Sequence, residues 1–282
     1  MELSDKTEMD VLGIIAGGGK FPIMVARAAK KRGLRVVAVA HKGETDISLA
    51  NEVDEISWIR LGQFGRLVDV LKKAGAKKAI MAGTIKKKRM FEGILPDLRG
   101  LSVMSKILFF HDDGILSTVA KELLEEGIEV INSTAYLPEI VAPEGCLTKR
   151  RPSKEEEEDI RFGWRMAKEI GRLDIGQCVV VKKRTVLAVE AIEGTDETII
   201  RGGRLAREGA VVVKVCKPMQ DLRFDLPTIG LNTIQTMDRV DAKVLAIEAG
   251  KTVIFDREEM ISLANKKGIS IVSVRELEDE GR

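Results

Sequence analysis

Near the start of the chain, Ile14-Ile15-Ala16-Gly17-Gly18-Gly19 runs from an apolar string into three glycines. At the head of a helix such a turn offers free backbone N–H groups and the positive end of the helix dipole, which attract phosphate. The pattern is not a dinucleotide fingerprint. G-x-G-x-x-G would need glycine where Pro22 stands, and His41-Lys42-Gly43 occupies the place of a ribose-binding acid. No lysine follows at P-loop spacing. Gly17, Gly18 and Gly19 therefore read as a phosphate or pyrophosphate cradle, or as a tight turn that is only structural.

A second group gathers carboxylates. Glu190, Glu193 and Asp196 surround Gly194 at the end of an expected strand, where several oxygens could converge on a hard cation such as Mg²⁺. The alternative is that Thr195 or Asp196 merely caps the next helix. Lys217-Pro218-Met219-Gln220 and Phe224-Asp225-Leu226-Pro227-Thr228-Ile229-Gly230 form a proline-marked, non-periodic loop, the kind of segment that carries function on a rigid scaffold. His111-Asp112-Asp113-Gly114 sets a histidine and two carboxylates before a helix, and one of these acids can be a cap. Lys86-Lys87-Lys88-Arg89 precedes Met90-Phe91 and an apolar run over 101–110, as in a protein leaning on an anionic membrane surface or simply in an exposed basic loop. The acids at 155–159 sit at a helix start, where the dipole favours them, and read as a solvated face.

Composition narrows the chemistry. The 282 residues argue for two domains, and 44% hydrophobic content supplies a core to each. With 46 Lys+Arg against 44 Asp+Glu the net charge is only +2, which speaks against a nucleic-acid binder built on phosphate contacts. Cys146, Cys178 and Cys216 share no metal-ligand spacing and read as reduced thiols of a cytosolic protein. Two histidines exclude mechanisms that need several imidazoles, so any metal should rest on carboxylates. No Ser-His-Asp or Cys-His set is present, and neither an export signal nor a spanning segment is expected.

Strands are expected at 11–16, 36–40, 55–59 and 79–82, alternating with helices at 20–31 and 65–73, followed by a helix that Gly127 ends and a strand at 128–132. This is the pattern of a parallel sheet. The expected fold is α/β, with a Rossmann-like parallel-sheet domain over 1–142, a linker over 143–153 marked by Pro143, Gly145 and Pro152, and an α+β domain over 154–282. In the latter, Ser153-Lys154-Glu155-Glu156 is a capping box opening a helix over 154–170. Strands at 178–182, 186–190 and 210–215 follow, with a helix at 197–207 and a hairpin over 246–255 around Ala249-Gly250. A last helix and strand run to Val274.

Five strings in order give the chain a family resemblance: Ile14-Ile15-Ala16-Gly17-Gly18-Gly19, Leu95-Pro96-Asp97-Leu98-Arg99-Gly100, Glu169-Ile170-Gly171-Arg172-Leu173-Asp174-Ile175-Gly176-Gln177, Ala188-Val189-Glu190-Ala191-Ile192-Glu193-Gly194-Thr195-Asp196, and Asp225-Leu226-Pro227-Thr228-Ile229-Gly230. From Leu12 to Val274 it resembles the LpxI family of UDP-2,3-diacylglucosamine pyrophosphatases. Gln63 departs from the acid expected before Phe64-Gly65, and the 86–89 cluster is more basic than usual.

The resemblance implies a Mg²⁺-dependent hydrolase of lipid A biosynthesis that cleaves UDP-2,3-diacylglucosamine to UMP and 2,3-diacylglucosamine 1-phosphate, its two domains holding the ligand between them. It makes Asp225 the leading catalytic residue, as Mg²⁺ ligand or as base for the water, with Glu190 beside it. Glu193 and Asp196 become further metal candidates, and Thr195, Lys217, Gln220, Thr228 and the three glycines substrate contacts. The anionic cytoplasmic face of the inner membrane is the expected peripheral partner. The rivals are a dinucleotide-binding reductase and a nucleotide- or lipid-binding protein without turnover.

Overall fold

The computed structural model describes residues 10–85, 96–109 and 114–275. The basic cluster 86–89 with Met90 and Phe91, the end of the apolar run at Phe110, and His111-Asp112-Asp113 lie outside the described residues. The chain divides into two compact units, the first made of Met1–Pro138 and Asp221–Phe224, the second of Glu139–Gln220 and Asp225–Arg282.

In the first unit, β1 (Val11–Ala16), β2 (Arg35–His41), β3 (Glu55–Ile59), β4 (Lys78–Ala82) and β5 (Glu129–Val130) form one parallel sheet in the order β3-β2-β1-β4-β5. Of the three inner strands, β1 and β2 are almost continuously apolar because both faces are covered, as a parallel sheet between helices requires. The connections carry α1 (Phe21–Lys31), α2 (Phe64–Lys73), α3 (Leu98–Phe109) and α4 (Ile115–Glu125). Leu67, Val68 and Leu71 of α2 are buried against the sheet, and Phe224, from the segment that returns late in the chain, packs on the same core. That segment is anchored by the Ser133 N–H, which donates to the Arg223 carbonyl at 2.7 Å.

Asp97 ties two helix starts together. Its carboxylate accepts the backbone N–H groups of Gly65 (3.2 Å) and Arg66 (3.1 Å) in α2 and of Gly100 (2.7 Å) in α3. Burial opposes its charge, but the N–H groups of Gly100, Gly65 and Arg66 outweigh burial and hold its pKa below the usual range. In the string Pro96-Asp97-Leu98-Arg99-Gly100 the aspartate is thus a double cap. Asp97→Ala is expected to cost about 2 kcal/mol of stability, read by urea denaturation, because two helix heads lose their acceptor together. An unchanged midpoint would show that the heads find other partners.

The second unit contains β6 (Gly145–Cys146), α5 (Lys154–Arg172), β7 (Cys178–Lys182), β8 (Thr185–Val189), α6 (Thr195–Ala206), β9 (Val211–Lys214), β10 (Thr228–Ile229), α7 (Leu231–Arg239), β11 (Val244–Glu248), β12 (Val253–Ile254), α8 (Arg257–Lys267) and β13 (Ser270–Val274). Six strands make a mixed sheet, β6-β13-β11-β9-β7-β8, whose centre β13-β11-β9 is parallel. Alternate residues face opposite layers: Val179, Val181, Val211 and Val213 pack on α5, whereas Val180, Val212, Leu245 and Ile271 share a core with α6, α7 and α8. The expected capping box is present, with the Glu156 N–H donating to Ser153 Oγ and the Ser153 N–H to the Glu156 carboxylate.

Three expectations change. Residues 143–153 are folded onto the second unit, since β6 pairs antiparallel with β13 and the Leu147 N–H donates to the Ile271 carbonyl. Residues 246–255 are not a hairpin: β11 lies parallel between β9 and β13, and β12 pairs parallel with β10. The acid run is not wholly solvated either. Asp159 is 5% exposed and accepts the backbone N–H groups of Lys183 (2.8 Å) and Arg184 (2.5 Å), the positive-φ pair at the β7–β8 turn.

Candidate active site

In the second unit β7 runs antiparallel to both β8 and β9, so β8, β9, β11 and β13 point the same way. Their carboxyl ends deliver Glu190, Lys214 to Lys217, and Glu248 to one edge of the sheet. Open α/β sheets place their ligands outside that edge.

Glu190 is 8% exposed. One of its oxygens accepts from Thr195 Oγ1 (2.9 Å), the other from the Gln177 N–H (3.3 Å). Gly176 makes this approach feasible, because a Cβ there would stand 2.1 Å from the Glu190 carbonyl oxygen. Glu193 turns away to Arg201 (2.6 Å); its own backbone N–H and then the guanidinium hold its pKa down. Asp196, in the first turn of α6, accepts from Asn232 Nδ2 (2.6 Å). The start of α6 therefore fans the three carboxylates toward different partners instead of converging them. Among the described residues no group of three His, Cys, Asp or Glu side chains is placed to hold a metal ion. A Mg²⁺ ion held here by one carboxylate would have to take most of its ligands from water and phosphate oxygens.

Thr195, Asp196 and Thr228 do come together, lining a cavity of about 640 Å³ with Lys214, Asn232, Phe255 and others. Lys214 is 6% exposed and its ammonium donates to the Thr228 carbonyl at 2.9 Å. No carboxylate pairs with it among the described residues.

Beyond β9, Lys217 and Gln220 belong to a separate network. Gln220 Oε1 accepts from the Lys217 N–H (2.9 Å) and from the Cys216 thiol (3.2 Å), while Lys217 Nζ reaches Asp174 (2.7 Å). Beneath them lies Glu248, 1% exposed, which accepts from Lys168 Nζ (2.5 Å), Lys251 Nζ (2.8 Å) and the Cys216 N–H (2.9 Å). Burial and then the Glu248 charge push the Cys216 thiol up to about 11, and burial and then Glu190 push Cys178 up to about 12, so neither is a thiolate nucleophile at neutral pH. Asp225 is exposed and its carboxylate takes no hydrogen bond or ion pair among the described residues. A turn-forming or capping role for it finds no support.

The glycine turn of the first unit has a structural account. The Gly17 N–H donates to the Ala82 carbonyl (2.8 Å) and the Gly18 N–H to the Thr84 carbonyl (2.7 Å). A Cβ on Gly17 would lie 2.7 Å from the Thr84 oxygen, so glycine lets the exits of β1 and β4 pair. Two of the three N–H groups are thus engaged before any phosphate arrives. Nearby, buried His41 donates Nδ1–H to the Ala16 carbonyl (2.9 Å), and burial lowers its pKa.

Two family models match the chain: the LpxI N-terminal domain over residues 11–140 and the LpxI C-terminal domain over 143–272. The chain belongs to the LpxI family. A relative from Caulobacter vibrioides, the UDP-2,3-diacylglucosamine pyrophosphatase LpxI, is 35% identical over 277 residues, spanning 94% of this chain and 98% of that protein. Solved structures give fainter likenesses. Pyruvate carboxylase of Rhizobium etli matches 43% of this chain and 11% of its own at 14% identity and a TM-score of 0.27. The biotin carboxylase domain of the Hydrogenobacter thermophilus 2-oxoglutarate carboxylase matches 63% and 36% at 18% identity and a TM-score of 0.26.

The LpxI-family strings acquire physical roles in this fold: Asp97 caps, Gly176 admits Glu190, and Asp174 meets Lys217. Two residues at the sheet edge escaped the reading of the sequence, Lys214 and Glu248. Their signal was a charge inside a buried strand, in Val211-Val212-Val213-Lys214-Val215 and in Ala246-Ile247-Glu248-Ala249, where charges are almost never buried without a partner. Among the described residues no helix is long and apolar enough to cross a membrane.

Proposed function

We propose that this chain hydrolyses the pyrophosphate of UDP-2,3-diacylglucosamine, releasing UMP and 2,3-diacylglucosamine 1-phosphate, as a Mg²⁺-dependent enzyme of lipid A biosynthesis. The observation that carries the reading is the near end-to-end similarity to the relative of that name. The carboxyl edge of the second sheet supports it, with a cavity holding a buried cation and, in the next loop, an exposed carboxylate without a partner.

Water supplies the nucleophile: its oxygen forms a bond to one phosphorus, the bridging P–O bond breaks, and a proton passes to a base. Asp225 is the residue for this step, as that base or as the protein ligand of Mg²⁺. Its proline-bounded loop limits the motion of the carboxylate. Mg²⁺, when bound, neutralises charge on the two phosphoryl groups. Glu190 acts through Thr195, holding the head of α6 in place. At the cytoplasmic face of the inner membrane, the basic cluster 86–89 and the apolar residues after it would meet anionic lipid and the acyl chains, each buried CH₂ contributing about 0.8 kcal/mol.

The test is incubation with UDP-2,3-diacylglucosamine and Mg²⁺, scored for UMP. Chelation is expected to abolish release and added Mg²⁺ to restore it. Full turnover after exhaustive chelation overturns the metal requirement, and absence of UMP under every condition overturns the hydrolase.

A further inference from the structure

We propose that a second cavity, between the tails of α6 and α7 at the amino edge of the second sheet, binds a small polyphosphate anion through Arg204, Arg207 and Arg239. It lies at the opposite ends of these two helices from the candidate active site, and it stands independently of the hydrolase reading.

The two helices lead into β9 and β11, and they meet so closely at this end that a Cβ on Gly203 would stand 2.3 Å from Val240 Cγ2. The Gly209 N–H donates to the Asp241 carbonyl at 2.8 Å, which ties the two connections together. All three arginines line the cavity of about 460 Å³ that opens there, with Ile200 and Val240 as its apolar wall. Among the described residues none of the three guanidiniums meets a carboxylate or a carbonyl oxygen. The acids of the same wall are already taken, Asp238 by Lys267 (2.7 Å) and Asp241 by Lys243 (2.5 Å). The guanidiniums therefore stand around the cavity without a counter-charge.

The helix dipoles account for part of this, since Arg204 and Arg239 sit in last turns, where a cation is favoured. They do not account for Arg207. It follows the end of α6 at φ +67° and ψ −46°, a strained backbone for a residue with a Cβ. The half-buried Lys182 holds that turn from both sides, its ammonium donating to the carbonyls of Ala206 (3.0 Å) and Glu208 (2.7 Å). Strain that the surroundings enforce clusters at functional sites, and here it brings a third guanidinium to the cavity. A planar carboxylate serves one or two guanidiniums, whereas phosphate oxygens point in several directions and accept from all three. Linked phosphates match this set better than a single one, and the volume falls within the usual range of small-molecule sites.

Calorimetric titration of the full chain with inorganic pyrophosphate and inorganic phosphate, without Mg²⁺, tests the site. Pyrophosphate should bind the wild type, and more tightly than phosphate does. Arg239→Gln should weaken it about tenfold. Arg207→Gly should weaken it as much, yet unfold at no lower urea concentration than wild type, because glycine suits the backbone that strains arginine. Asp241→Asn removes a negative charge from the wall, and asparagine tolerates the φ of +54° there, so this change should tighten pyrophosphate severalfold. No pyrophosphate binding to the wild type, affinity indifferent to both arginine changes, or binding that vanishes in Asp225→Asn overturns the site. So does a destabilised Arg207→Gly, which would make the arginine a structural prop. Release of UMP is scored separately, so the hydrolase can fail while the anion site stands, and the reverse.

Discussion

Asp225→Asn is expected to lower turnover of UDP-2,3-diacylglucosamine by at least about 100-fold while the protein folds and binds substrate normally. The carboxamide preserves shape and removes the charge that a base or a Mg²⁺ ligand needs. The structure sharpens the test. Asp225 is exposed and its side chain holds no turn or helix head, so its replacement should not move the denaturation midpoint. Steady-state assays beside urea melts read both quantities. Near-normal turnover in the folded variant refutes the assignment, and a large loss of stability would mean the carboxylate has a structural task after all.

The largest effect on stability is expected at Glu248. Its carboxylate is buried among Lys168, Lys251 and the Cys216 N–H, and Lys168 also donates to the Cys216 carbonyl at 3.0 Å. Glu248→Ala strips acceptors from two ammonium groups and an N–H, so a cost of about 3 kcal/mol is expected; the partial exposure of both lysines keeps it at the low end for a broken buried pair. Burial alone would raise the Glu248 pKa, but Lys168, Lys251 and the Cys216 N–H outweigh it and bring it below the ordinary glutamate value. A depressed folded pKa stabilises above the unfolded value of about 4.3 and is lost as pH falls through the folded one. The stability gap between wild type and Glu248→Gln should therefore be full near neutrality and close on acidification below about pH 4. A gap that ignores pH would show that packing, not charge, is responsible.

What was legible in the sequence was what local chemistry decides. The capping box at Ser153 and Glu156 and the alternation of the first unit follow from periodicity and caps, which act within a few residues. Pairing across distance left no such trace. β11 and β12 are close in sequence and separated by Gly250, as hairpin strands would be, yet each pairs parallel with a different strand, and nothing near Gly250 records those partners. The segment 143–153 lacked periodicity because its strand is two residues long. At the site, spacing brought Glu190, Glu193 and Asp196 near one glycine but could not say where their side chains point; α6 begins between them and sends each to its own partner. Lys214 stands out as a charge in an apolar run, yet it belongs to no motif that would give it a role.

The return of Asp221–Phe224 to the first unit bears on how the protein is made. Phe224 and the Arg223 carbonyl, partners of that unit's core and of Ser133, leave the ribosome about 80 residues after Pro138. At roughly 5–20 residues per second, the nascent first unit waits on the order of 4–16 s for its last piece. Through that interval the core surface that Phe224 will cover is open to chaperones and proteases, and a fragment cut at Pro138 would keep that exposure for good.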